Sequence, residues 1–127
     1  MKSTKTYTII RVLLGIAWIF FGIEKFFPPS NPPIMPQPAM DFLASMVATG
    51  YFIPLLGLTE LLVGLLLLFN KLVPLAMVIL APIMLNIILF NVFLAPSVPG
   101  IIMITVLLLL QGYIVAKNWD SYKNLFR

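Results

Sequence analysis

Four apolar runs, at about residues 8–27, 51–69, 72–94 and 100–116, each approach the ~20 residues that carry a helix across roughly 30 Å of hydrocarbon. No water reaches that layer, so each segment must satisfy its own backbone N–H and C=O groups. The period-two alternation of a membrane barrel is nowhere visible. An all-α, four-transmembrane-helix bundle is therefore expected, as one integral membrane domain over residues 1–127. Composition agrees: 61% of the residues are hydrophobic and 9% charged, against about a quarter charged in soluble domains.

The basic residues set an orientation. Lys2, Lys5 and Arg11 open the chain, Lys71 lies in the second connection, and Lys117, Lys123 and Arg127 follow the fourth run. An even number of spans puts these regions on one side, which the positive-inside rule makes the cytoplasm, with both termini there. Tyr7, Trp119 and Tyr122 are expected as interfacial aromatics at that boundary. The first run resembles a secretion signal, but it is long and leads into Pro28 and Pro29 without a small-residue cleavage site. It reads as a retained helix. Nothing in this charge pattern points to nucleic acid.

The stretch from Gly22 to Pro38 holds six prolines, which favour extended, unpaired backbone on the outer side. Residues 39–49 then read as a short amphipathic helix, with Asp41, Ser45 and Thr49 on one face and Met40, Leu43 and Val47 on another. At that length it cannot cross. It is expected to form a lid over the bundle mouth.

Cysteine and histidine are both absent. Thiolate catalysis, Cys/His zinc sites and bis-histidine haem ligation are thereby excluded, and no metal site is expected. A redox role would need a borrowed carrier.

Charges and amides within the spans carry what chemistry remains, because burying them in hydrocarbon costs about 2.5–3.5 kcal/mol per charge. Arg11, Gly15, Trp18, Gly22 and Lys25 fall on one stripe of the first helix, and Gly57, Glu60 and Gly64 on one face of the second. The third helix adds Asn86 and Asn91, which point about 140° apart if it is straight, although Pro82 can kink it. The fourth adds Thr105 and Gln111, with Asn86 and Gln111 read as interhelical hydrogen-bonding residues. Counting ~1.5 Å per residue, Glu24 and Lys25 lie within roughly 5 Å of the outer surface, Glu60 about 13 Å down and Asn86 about 12 Å down. Polar groups from three helices thus converge in the outer half. Lys25 is expected to face the bundle and Glu24 the headgroups, while Arg11 snorkels to phosphate at the inner edge. "LLGIAWIFFG" (Leu13 to Gly22) and "LLGLTELLVG" (Leu55 to Gly64) echo one another, as an inverted repeat would.

The order Arg11, Gly15, Gly22, Lys25, followed by "TELLVGLLLL" from Thr59 and "VPLAMVILAPIMLNIILFN" from Val73, resembles the DoxX family of small four-helix membrane proteins. The resemblance covers nearly the whole chain. It implies a bacterial cytoplasmic (inner) membrane location. Some members of that family resemble small subunits of a thiosulfate:quinone oxidoreductase, and others associate with membrane redox enzymes. By that analogy Glu60 is the acid of the second helix, and Arg11, Gly22 and Lys25 carry the first-helix pattern. Relatives often have a histidine where this chain has Asn91, which removes a proton-active side chain.

Three functions follow as expectations. The first is an accessory, non-catalytic subunit of a membrane complex, packing against other membrane subunits or a second copy through its glycine faces or its Pro-rich segment. The second is a quinone-linked component in which Glu60 is the proton-active, catalytic residue. Trp18, Lys25, Asn86 and Asn91 would then form the cofactor pocket, with Phe20 and Phe21 flanking the ring. The third is a small transporter coupled through Glu60. In all three the lipid bilayer is the common partner.

Overall fold

A computed structural model describes residues 2–27 and 34–123. The prolines at 28–33 and the basic Arg127 lie outside the described residues. The elements are α1 (Lys2–Glu24), α2 (Gln37–Ala48), α3 (Phe52–Leu68), α4 (Val73–Leu89) prolonged by a π-helical segment (Phe90–Leu94), α5 (Val98–Lys117) and the single turn α6 (Trp119–Tyr122). No strand occurs among the described residues. Prolines stand at the first positions of α2, α4 and α5, where the missing N–H leaves no bond unmade.

Among the described residues three helices, Lys5–Glu24, Val73–Leu94 and Val98–Lys117, are long and apolar enough to cross a membrane alone. With 17 residues, α3 sits at the lower limit for a span. It joins α2 through a 90° bend, and counting that pair as one gives the fourth crossing. The three to four candidate spans fit the expected helical membrane bundle, in which α1 packs on α3 and α5, and α4 on α3 and α5.

The α1–α3 pairing is the most extensive in the molecule, and glycine makes it possible. A methyl group on Gly22 would lie 2.6 Å from the Leu61 nitrogen and 2.7 Å from the Gly57 oxygen. One on Gly64 would lie 2.7 Å from the Gly15 oxygen. Backbone therefore meets backbone at two crossing points, Gly15 with Gly64 and Gly22 with Gly57, as small residues allow between membrane helices. The pairing is crosswise: the first glycine of each echoed segment meets the second glycine of the other. These faces are used up internally, so they are not the partner-docking surfaces that the accessory-subunit reading assigned to them.

Leu14, Trp18, Val63, Leu67, Leu80 and Ile114 fill the interior of the inner and middle bundle. Two inner-side expectations are corrected here. Arg11 does not snorkel outward. It is buried and donates from Nη1 to the Leu67 oxygen and, at 3.0 Å, to the Leu68 oxygen. These are last-turn carbonyls at the negative end of α3, so the guanidinium gains both bonds and a favourable helix-end field. Tyr122 is not an interfacial anchor either. It is buried under α6, and its hydroxyl donates to the Pro74 oxygen at 3.1 Å. The Asn118 amide donates to the Tyr7 hydroxyl at 3.0 Å, tying the start of α1 to the end of α5. Trp119 remains exposed.

Candidate functional site: a cleft roofed by a short helix

The halves of α3 and α4 next to α2 flank a cavity of about 660 Å³, within the usual range of roughly 300–1,000 Å³ for small-molecule sites. Its walls are Phe52, Ile53, Leu56 and Glu60 from α3, Pro82, Ile83, Asn86 and Ile87 from α4, and Phe90 and Asn91 from the π-helical segment. Lys25 closes one end and Phe42, Leu43 and Met46 of α2 form the roof. The expected lid is therefore present over the mouth. Its inward face is nevertheless not the one read from the sequence. Ala39, Phe42, Leu43 and Met46 make a stripe of helical spacing, with Ala39 fully buried, while Met40 and Val47 point outward. The Phe42 and Phe90 rings, 5.8 Å apart, pin the roof to the far wall.

At the closed end, Lys25 Nζ lies 3.0 Å from Glu60 Oε1. The same ammonium donates to the Phe21 oxygen at 3.3 Å. Glu60 is almost fully enclosed, with its side chain 2% exposed, whereas Lys25 at 24% still reaches the cavity. The Lys25 Cβ packs against Gly57, where a methyl group would come within 2.7 Å of it. The glycine contacts thus set the depth from which Lys25 meets the acid. Glu24, one residue earlier, is exposed, as its rotation by about 100° requires.

Asn86 and Asn91 line the same cavity despite their separation of five residues. The turn between them is α-helical, with the Phe90 N–H on the Asn86 oxygen, so they stand apart on the broad arc of helix, Pro82 to Asn91, that walls the cavity; the chain winds as a π-helix only beyond, with the Ala95 N–H on the Phe90 oxygen at 2.9 Å. Asn91 is held by its own amide on the Ile87 oxygen, 2.9 Å, and by close approach to Gly100, whose Cβ would meet Asn91 Oδ1 at 2.5 Å. Asn86 has no hydrogen-bond partner among the described residues and is exposed toward the cleft. It is thus not the interhelical bond that the sequence suggested. A primary amide at this depth, facing apolar walls, is costly unless something polar meets it.

Of the expected site residues, Glu60, Lys25, Asn86 and Asn91 meet in one cavity. Trp18 does not. It is wholly buried in the core below, edge-on to Phe21 at 5.4 Å, while Phe20 is exposed on the outer surface of the bundle. Gln111 is buried with its carbonyl oxygen unpaired among the described residues, and Thr105 bonds back to the Ile101 oxygen at 2.8 Å. Neither reaches the cleft. Phe42, Met46, Ile53, Leu56, Ile83 and Phe90 were not singled out from the sequence. Only the 42, 43, 46 spacing could have flagged them in advance. No cluster of metal-ligating side chains occurs among the described residues.

A family model, DoxX, matches residues 6–95, which covers α1 to α4, the π-helical segment and every residue of the cleft. No curated protein and no solved structure matches the chain. With its apolar crossing helices and a family match over well more than half its length, the chain is a multi-pass membrane protein that belongs to the DoxX family.

Proposed function

We propose that the protein binds a lipophilic ring-bearing molecule of the quinone class in the roofed cleft, as the non-catalytic, ligand-holding component of a membrane redox complex. In this reading residues 1–127 form one integral domain in the bacterial cytoplasmic membrane, with both termini in the cytoplasm and the cleft in the outer leaflet. The observation that carries the proposal is Asn86, an amide without a hydrogen-bond partner among the described residues, exposed in a largely apolar, ligand-sized cavity.

The donor set fits such a ring. Lys25 has three N–H donors, of which two are engaged. The third, with the Asn86 amide, would hold a carbonyl oxygen. Glu60 Oε2 accepts no bond from the described residues and would accept from the hydroxyl of the reduced form. A quinone, when bound, supplies two-electron, two-proton redox chemistry. The chain supplies the Glu60 carboxyl as acceptor, the Lys25 ammonium beside it as donor, and largely apolar walls. Having neither cysteine nor histidine, it would rely on a partner to deliver electrons.

Photolabelling with an azido-quinone in native membranes tests this. Label should fall on peptides containing Phe42, Ile83 or Phe90, and Asn86→Leu should abolish it. Labelling spread evenly over the lipid-facing surface would refute the site. Co-purification from gently solubilised membranes should recover a redox partner.

A further inference from the structure

We infer that the cleft selects by charge, taking electrically neutral amphiphiles with a hydroxyl or carbonyl head and rejecting anionic lipids with the same tail. This rests on the reading of the cleft as a ligand site, but not on the ligand being a quinone.

The argument is one of charge placement. Within the cavity, Lys25 and Glu60 cancel, being 3.0 Å apart. The remaining ten lining residues besides Asn86 and Asn91 are apolar. At the same end of the bundle stand Glu24, exposed and next in sequence to Lys25, and Asp41 on the roof helix, whose Oδ1 receives the Gln37 amide at 2.7 Å. Lys25 is thus the one base against three acids at this end among the described residues, and residues 28–33 add no charge. The described remainder of the basic residues, including Lys71, Lys117 and Lys123, sits at the other end of the bundle. An anionic head entering here would find its only cation already committed, and it would face Glu60 across a low-dielectric cavity. A cationic head would meet the Lys25 ammonium in the same way. A neutral head loses nothing to either charge and gains what is free: the Asn86 donors and acceptor, the third Lys25 N–H and Glu60 Oε2.

Three probes with one tail and fixed charges separate the cases: hexadecanol, hexadecyl sulfate and hexadecyltrimethylammonium. Each would be added at equal amount to the full-length protein in neutral phosphatidylcholine nanodiscs. Retained adducts are counted by native mass spectrometry. Hexadecanol should be retained about tenfold or more over either ion, since an uncompensated charge in such a site costs more than the ~1.4 kcal/mol that a decade represents. Glu60→Gln frees the ammonium and should reverse the order in favour of the sulfate. Lys25→Gln should shift it toward the trimethylammonium probe. If either single variant fails to fold, Asn86→Leu decides: it should lower hexadecanol retention severalfold with an unchanged melting temperature.

Equal retention of sulfate and alcohol by the unaltered protein overturns the inference, as does an order that Glu60→Gln leaves untouched in a folded protein. Retention of none of the probes overturns it too. Should hexadecanol bind while a benzoquinone-headed lipid does not, the quinone assignment falls and the charge selection stands.

Discussion

Lys25, just past the C-terminal end of α1, and Glu60 in the middle of α3 are joined by a 3.0 Å ion pair at one end of a largely apolar cleft. The partners come from segments 35 residues apart that are held together by glycine. The pair occupies the place where α1 crosses α3 at Gly22 and Gly57. Its geometry therefore depends on that backbone contact, and the cleft depends on the pair.

Removing one partner should cost more than removing both. Lys25→Met leaves Glu60 enclosed without its counter-charge and should destabilise the folded bundle by about 3–5 kcal/mol. Lys25→Met combined with Glu60→Met should recover most of that loss. Detergent-induced unfolding followed by circular dichroism measures both, and a double variant less stable than the single one would contradict the pairing.

Arg11 should behave as a helix-end clamp rather than a lipid contact. Arg11→Met forfeits its bonds to the Leu67 and Leu68 oxygens, at about 1.5–3 kcal/mol each for bonds to a charged group. The loss should be the same in neutral and in anionic lipid. Stability that tracks lipid charge instead would restore the snorkelling reading.

The glycines should divide sharply. Gly22→Ala forces backbone atoms at 2.6 and 2.7 Å to move and should cost about 1–3 kcal/mol. Gly112→Ala enters open space and should be neutral or stabilising by up to about 1 kcal/mol. Unfolding curves of the two variants, compared in one detergent, give the contrast directly.

Tyr122 should confer an alkaline limit on stability. Burial, and secondly the nearby Tyr7, push its phenol above the ordinary value of 10.0. The folded state thus holds the proton more tightly than the unfolded one. Its contribution is fully present below the unfolded-state pKa of about 10 and is lost as pH rises through the higher folded-state value. Tyr122→Phe should flatten that alkaline decline while losing about 0.5–1.5 kcal/mol at neutral pH with the Pro74 hydrogen bond. A pH series of melting temperatures distinguishes the two effects.

Because the chain has no cysteine, topology is open to single-cysteine labelling. Ser45→Cys on the roof helix should react with an impermeant maleimide from outside intact spheroplasts. Lys71→Cys in the α3–α4 turn should react only after lysis. The reverse pattern would invert the proposed orientation and place the cleft in the inner leaflet.

Much of this molecule is legible in the one-dimensional pattern. Apolar runs about as long as the bilayer is thick dictate helices, because no other spanning structure short of a barrel satisfies the backbone there. The spacing of Gly22, Lys25, Gly57 and Glu60 is enough to put the basic and acidic residues on facing stripes. Direction around a helix follows from counting, so Lys25 inward and Glu24 outward were readable from position alone. What counting does not supply is where a helix departs from regularity and which of two apolar stripes a short helix buries. Asn86 and Asn91 share a cavity because it is wide enough to take in a broad arc of helix from Pro82 to Asn91. The roof turns Phe42 and Met46 inward, rather than Met40 and Val47, because of the 90° bend into α3. Trp18 lies on the same stripe as Lys25 yet belongs to the core, since α3 and α4 pack closely at its depth and separate only above it. Helix formation is set by local bonding and is written in the sequence. Where two helices part to leave a cavity is set by the packing of all of them together, and only the tertiary structure decides it.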